Sequence, residues 1–386
     1  MRREIHANEA PIRVLFTFGT RPEAIKLAPV ILQMRARRDF RPVVCVTGQH
    51  REMLDQILKG FGIEPDYDLR VMRPNQSLAG VTEKILKRVD IVVEKEKPDL
   101  LIVQGDTTTA FVSALAAFYR QVPVAHIEAG LRTNDFEHPF PEELNRVLVD
   151  RFATYCFAPT KLNKQTLLAE NIPDARIYIT GNTGIDALLI TRDRVCSAGP
   201  RKWKQLWRSA WPAVKDKSKK LVLITMHRRE SFGPRMKALM KAVRNLARKH
   251  RDWEFVYPVH LNPNVRMAAA GVLKGLANIH LIDPLPYEPF VFLMQRAEVI
   301  LTDSGGIQEE APSLDKPVVV LRQRTERREA VDAGTVILAG NTGRGLEKIV
   351  EQLVAEKSQR TVAKNPYGDG KATARILKIL RNHTRR

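Results

Sequence analysis

Three acids in this chain stand where short apolar runs give way to turns. Asp106 follows Val103-Gln104-Gly105, Glu128 follows His126-Ile127, and Glu142 opens a helical stretch in which Arg146 lies four residues on. Any one of them could be a helix cap or a surface charge. Delivered together to one sheet edge, they would raise one another's pKa, which lets a carboxylic acid and a carboxylate base coexist near neutral pH. A first turn, Gly19-Thr20-Arg21-Pro22, adds cations at Arg21 and Lys26. A different chemistry lies further on. Ser304-Gly305-Gly306 opens a helix with small residues whose backbone N–H groups could cradle phosphate, and Glu310 stands one turn later, where ribose hydroxyls could be met. Arginines at 322, 324, 327 and 328 read either as a solvated loop or as a diphosphate clamp, for which the guanidinium fork is better suited than lysine. No metal site is expected, because the nine histidines form no HxxxH pair and no Cys-x-x-Cys occurs. Neither a Walker A motif nor GxGxxG after a strand is present, so no cofactor is expected.

The elements that must position these groups alternate regularly. Strands are expected at Ile12–Phe18, Val43–Thr47, Leu100–Val103, Val122–Ile127, Tyr155–Phe157 and Arg176–Thr180. Helices are expected over 76–95, 107–119, 141–153 and 161–170. Six further strands follow at Leu221–Thr225, Glu254–Pro258, Ile279–Ile282, Val299–Thr302, Pro317–Leu321 and Val336–Leu338. Twelve strands in two similar halves predict an α/β protein of two doubly wound domains facing a central cleft. Between the halves, Trp203, Trp207 and Trp211 recur every four residues among eight basic residues and one acid. This spacing predicts one helix packing a tryptophan stripe on the second domain, with a membrane-surface or partner-binding helix as the alternative.

Composition narrows the function classes. The 386 residues, 44% hydrophobic and 27% charged, fit a soluble two-domain protein. The net charge of +20 is spread along the chain and fits a basic surface with a site for an anionic small molecule. Cys45 and Cys156 sit in apolar runs and read as core residues, so a reducing compartment is expected. No run reaches the roughly 18 apolar residues of a membrane span, and the polar start has no apolar h-region, which points to the cytoplasm. Residues 1–10 read as a disordered extension.

The chain resembles the non-hydrolysing UDP-N-acetylglucosamine 2-epimerases over roughly 12–380. The likeness rests on FGTRPEAIKLAP, TGQHREMLDQ, GDTTT, HIEAGLRT, PEELNR, GNTGIDAL, HRRESFG, YPVHLNPNVR, LTDSGGIQEEAPSL, TERREAVDAGT and NPYGDG in that order. It implies a Rossmann-like, glycosyltransferase-B type fold. The N-terminal domain would span 11–183, a UDP-binding domain 184–369, and a C-terminal helix at about 370–384 would cross back to the first domain. It implies reversible conversion of UDP-GlcNAc to UDP-ManNAc through elimination of UDP to 2-acetamidoglucal and re-addition, serving bacterial surface polysaccharide synthesis. A cytoplasmic homodimer with no nucleic-acid partner is expected. Matched residue by residue, Asp106, Glu128, Glu142 and His227 are the catalytic candidates. Arg21, Lys26, Arg146, Phe290, Ser304, Gly305, Gly306, Glu310 and Arg327 match substrate-binding positions. Gln49, His50, Gln76, Arg228 and His260 match a second, allosteric UDP-GlcNAc site. Glu52 and Asn75 replace the Gln and Arg frequent in regulated versions, a change that should weaken an anionic effector, and Arg328 stands where Pro is common. A hydrolysing relative, a glycosyltransferase and a basic binding protein are the competing readings. None of them accounts as well for acids crowding C2.

Overall fold

A computed structural model describes residues 10–48, 51–73, 76–228, 232–356 and 364–383. The chain divides into two compact units, Met1–Ala187 with Gly368–Arg386, and Leu188–Tyr367. The division falls within the helix Thr183–Ala198.

The first unit holds a seven-stranded, wholly parallel sheet. Its strands are β1 (Ile12–Phe18), β2 (Phe40–Val46), β3 (Tyr67–Asp68), β4 (Leu100–Gln104), β5 (Val124–Ile127), β6 (Tyr155–Ala158) and β7 (Ile177–Ile179). Their order is β3-β2-β1-β4-β5-β6-β7, so the winding reverses between β1 and β4. Strands such as Leu100–Gln104 are buried at every position, as a sheet covered by helices on both faces requires. Threonines start the helices that follow. Thr107 caps Thr108–Tyr119 by accepting the Ala110 N–H at 3.0 Å, and Thr20 precedes Arg21–Arg35 with Pro22 in its first turn. The C-terminal helix Ala372–His383 belongs to this unit. Asp186 accepts the N–H groups of Ala372 and Thr373 at 3.2 and 2.9 Å.

The second unit repeats the plan with six parallel strands: β8 (Lys220–Thr225), β9 (Trp253–Pro258), β10 (Ile279–Ile282), β11 (Val299–Thr302), β12 (Val318–Val320) and β13 (Val336–Leu338). The order β10-β9-β8-β11-β12-β13 reverses between β8 and β11. In open α/β sheets, ligands bind beyond the strand carboxyl ends at such reversals.

Two expectations need correction. There are thirteen strands among the described residues, not twelve. The additional one, β3, is two polar residues paired to Cys45 and Val46, too short and too polar to leave an apolar run. The tryptophan segment is not one helix. It runs as short pieces, Pro200–Trp203, Lys204–Trp207, Arg208–Ala210 and Trp211–Lys215, because Arg208 turns to φ 43° and Pro212 restarts the chain. The tryptophans still pack inward. Trp207 is fully buried, stacked on Trp211 at 5.8 Å and tilted against Phe292 at 5.4 Å. Cys45 and Cys156 are buried, and burial pushes both thiols up to about 12, which leaves them unreactive. No helix among the described residues is long and apolar enough to cross a membrane.

Candidate active site

At the reversal in the first sheet, two turns lie side by side. After β1, Gly19 and Thr20 donate their N–H groups to Glu23 at 3.1 and 2.8 Å, and the Thr20 hydroxyl adds a third bond at 2.7 Å. The other oxygen of this buried carboxylate accepts the Thr107 hydroxyl at 2.7 Å. Glu23 therefore ties the turn carrying Arg21 to the turn carrying Asp106. Burial pushes its carboxyl upward, against these hydrogen bonds.

Asp106 is half-buried at the end of β4. Its carboxylate meets the Arg146 guanidinium at 3.1 Å, and its carbonyl accepts from the Asn145 amide at 2.9 Å. Removal from water raises the Asp106 pKa. Glu128 and Glu142 raise it further, against the opposing pull of Arg146 and Lys26. All four neighbours are thus near enough for their charge to reach Asp106. Glu128, in the turn after β5, has φ 72° and pairs with Lys26 while accepting from the Gln104 amide. A residue other than glycine in this left-handed conformation is held there by its surroundings. Glu142 begins the helix Glu142–Phe152 and is half-buried. Four residues on, Arg146 turns to Asp106 and to the buried Glu143, at 3.4 Å, rather than to the Glu142 carboxylate.

At the reversal in the second sheet, Asp303 is buried after β11. It accepts the N–H groups of His227 and Arg228 at 2.8 and 2.9 Å, and its other oxygen lies 3.1 Å from His227 Nδ1. Burial works to raise its carboxyl, but His227 and the two N–H groups hold it below the usual range. The next residues are Ser304, Gly305 and Gly306, opening the short helix Gly305–Glu310. Arg327 lies against this turn: a Cβ on Gly305 would stand 3.0 Å from the guanidinium carbon, so any larger residue would push the guanidinium aside by a few tenths of an ångström. Arg327 is held by Glu309 at 2.8 Å and Glu326 at 2.7 Å. Glu326 also faces Arg322 at 2.8 Å and Arg228 at 3.5 Å. Burial opposes its ionisation, but this arginine cluster brings its pKa down to about 2. Three guanidiniums thus share one carboxylate, an excess of positive charge beside a Ser-Gly-Gly turn. No group of acids, histidines and cysteines suited to hold a metal occurs among the described residues.

A sequence model described as UDP-N-acetylglucosamine 2-epimerase matches residues 32–381. The chain belongs to the UDP-N-acetylglucosamine 2-epimerase family. A UDP-N-acetylglucosamine 2-epimerase of Yersinia pestis is 52% identical over 96% of this chain and 99% of its own length. One of Escherichia coli K12 is 50% identical over the same shares. A UDP-GlcNAc 2-epimerase from Neisseria meningitidis, solved bound to UDP-GlcNAc, is 47% identical with a TM-score of 0.87, covering 96% of this chain and 100% of that one. One from Methanocaldococcus jannaschii, in complex with UDP-GlcNAc and UDP, is 33% identical with a TM-score of 0.78, covering 96% and 100%. The fold is thus the two-sheet α/β architecture of this family.

Of the residues that resemblance to the family singled out, Asp106, Glu128, Glu142, Lys26 and Arg146 come together on the first unit. Arg21 is half-buried at the start of its helix. On the second unit, His227 stacks on His260 at 5.6 Å, and Arg228 joins the arginine cluster. Ser304, Gly305, Gly306 and Glu310 share one turn and helix, and Phe290 is half-buried in the helix Tyr287–Arg296. Gln76 lies on the first unit and accepts from the Arg73 N–H. Gln49, His50 and Asn75 fall outside the described residues, as does the Glu52 side chain. Four residues escaped the sequence reading: Glu23, His126, Asp150 and Asp303. The first three are buried polar groups whose side-chain partners lie 18 or more residues away, apart from the local bonds of Glu23, and Asp303 is held by a turn 75 residues back. His126, Asp150 and Asp303 each had one visible signal, an ionisable residue inside or just after an apolar run, and Glu23 had the Thr20-x-x-Glu23 spacing of a capping box.

Proposed function

We propose that this protein interconverts UDP-GlcNAc and UDP-ManNAc by reversible elimination and re-addition of UDP, supplying a ManNAc-type precursor for bacterial surface polysaccharide. The observation that carries this reading is the clustering of Asp106, Glu128 and Glu142 with Lys26 and Arg146 in a chain of this family. In the forward direction a carboxylate takes the weakly acidic C2 proton, the C1–O bond to the diphosphate breaks, and a C1=C2 double bond remains in 2-acetamidoglucal. In the return, a carboxylic acid gives a proton to the opposite face of C2 while the UDP oxygen re-forms the bond at C1. Nothing is oxidised and no water is consumed.

Two carboxyls in unlike surroundings suit these two tasks. Glu128, paired with the Lys26 ammonium, is suited to act as the anionic base. Asp106, whose pKa is raised by its removal from water and by the neighbouring acids, is suited to hold a proton. Glu142 supplies the third carboxyl. Departure of UDP leaves charge on the diphosphate. His227, the N–H groups at Ser304–Gly306 and Arg327 are the groups we assign to stabilise it, with Arg21 and Phe290 contacting substrate and Glu310 receiving the ribose. Titration by a diphosphate would exchange the Glu309 and Glu326 partners of Arg327 for phosphate oxygens of higher charge.

The relatives solved with UDP-GlcNAc and UDP support this choice of ligand. NMR analysis with UDP-GlcNAc as sole substrate tests it. UDP-ManNAc is expected to appear and reach equilibrium with its epimer. Free ManNAc rising in step with UDP would instead make the enzyme a hydrolase.

A further inference from the structure

Asp150 lies in the helix Glu142–Phe152 and is wholly shut off from solvent. Its two oxygens gather three donors from the end of β5 and the turn after it. One oxygen takes His126 Nδ1 at 2.6 Å. The other takes the Gly130 N–H at 3.1 Å and the Arg132 guanidinium at 2.8 Å. The second ring nitrogen of His126 reaches the Gly105 carbonyl at 2.7 Å. Carboxylate and carbonyl both accept, so each ring nitrogen faces an acceptor and the ring is held from both sides. Arg132 continues to Glu170 at 2.7 and 2.8 Å, so one guanidinium joins the two carboxylates. Burial works to raise the Asp150 carboxyl, but His126 and Arg132 hold it below the usual range, and it stays ionised.

The consequence is felt at the candidate acids. Gly105 is the residue before Asp106, so His126 fixes the peptide that leads into Asp106, and Asn145 fixes the carbonyl that follows it. Glu128 sits between two held points, two residues after His126 and two before Gly130. The same helix that carries Asp150 also carries Glu142 and Arg146. One buried carboxylate therefore fastens all three acid-bearing segments to each other.

We infer that Asp150, acting through His126 and Gly130, is a positioning residue for the proton-transfer chemistry, setting the mutual placement of Asp106, Glu128 and Glu142 without touching substrate. This inference rests on the functional reading above. Its force comes from the steep dependence of proton transfer on geometry, where an offset of about 1 Å costs on the order of 100-fold in rate.

The test follows C2 proton exchange of UDP-GlcNAc in D₂O with the full chain. Exchange by the wild type is the control for the functional reading, and its absence would remove that reading and the inference with it. Given exchange, Asp150→Ala is expected to lower kcat by roughly 100-fold with little change in KM. Asp150→Asn is expected to recover at least tenfold of that loss, because its amide can donate to a neutral His126 while its oxygen accepts from Gly130. If the alanine variant does not fold, Asn145→Ala, which frees the other side of Asp106, is expected to show the same kcat-only signature. A folded Asp150→Ala protein with wild-type kcat would overturn the inference. So would an Asp150→Asn protein as impaired as the alanine variant, or an Asn145→Ala protein with wild-type kcat.

Discussion

The two sheets present their chemistry in opposite ways. At the first reversal the acids are surrounded by buried partners that hold them to the scaffold: Glu23 joins the turns after β1 and β4, and Asp150 joins those after β4 and β5. At the second, the groups beside the Ser304 turn are arginines held to one another through Glu326 and Glu309, on a loop and a six-residue helix. A reaction that moves a proton needs fixed geometry, whereas a site that admits and releases a diphosphate needs cations whose partners can be exchanged. Under the proposed function, the first unit's groups suit the chemical step and the second unit's groups suit holding the leaving group.

The sharpest way to break this contrast is to remove one acid. Asp106→Asn is expected to lower kcat by roughly 1,000-fold, within the range for general acid–base catalysis. UDP affinity by calorimetry should stay as it is, since Arg146 keeps Glu143 as a partner. Next comes the scaffold of the second unit. Trp207→Ala should destabilise the protein by about 3–5 kcal/mol in denaturant titration, as removal of a fully buried ring does, while kcat per folded molecule is unchanged. Arg327→Ala should weaken UDP binding by roughly 10- to 100-fold, the value of a charge-assisted bond, and raise KM more than it lowers kcat.

The last contrast is in pH. The folded pKa of Glu326 is about 2, below its ordinary value. Its contribution to stability is therefore complete above the ordinary carboxylate range and lost as pH falls through about 2. Unfolding of wild type and Glu326→Gln, compared from pH 7 downward, should converge over that interval. A gap that persisted unchanged to the acid end would mean that the arginines do not hold this carboxylate ionised.

Much of this was legible in the chain, for reasons that differ by element. Strands such as Leu100–Gln104 and Val299–Thr302 announce themselves because burial on both faces demands an unbroken apolar run. The acids at Asp106 and Glu128 and the Ser304 turn were visible because they directly follow such runs. β3 was not, since two edge residues need no apolar pattern. The tryptophan stripe showed the right face but not the break at Arg208, where the backbone conformation is set by packing rather than by residue type. The roles of Glu23 and Asp150 were hidden because a buried carboxylate is defined by donors that only the fold brings to it.

The central claim is that a carboxyl cluster on the first unit exchanges the C2 proton of a UDP-sugar. The most direct measurement is deuterium incorporation at C2 when UDP-GlcNAc is incubated with the enzyme in D₂O, comparing wild type with Asp106→Asn. The account predicts complete incorporation in both epimers with wild type and incorporation slowed by about three orders of magnitude in the variant. Interconversion of the epimers with hydrogen retained at C2, or equal exchange by both proteins, would contradict it.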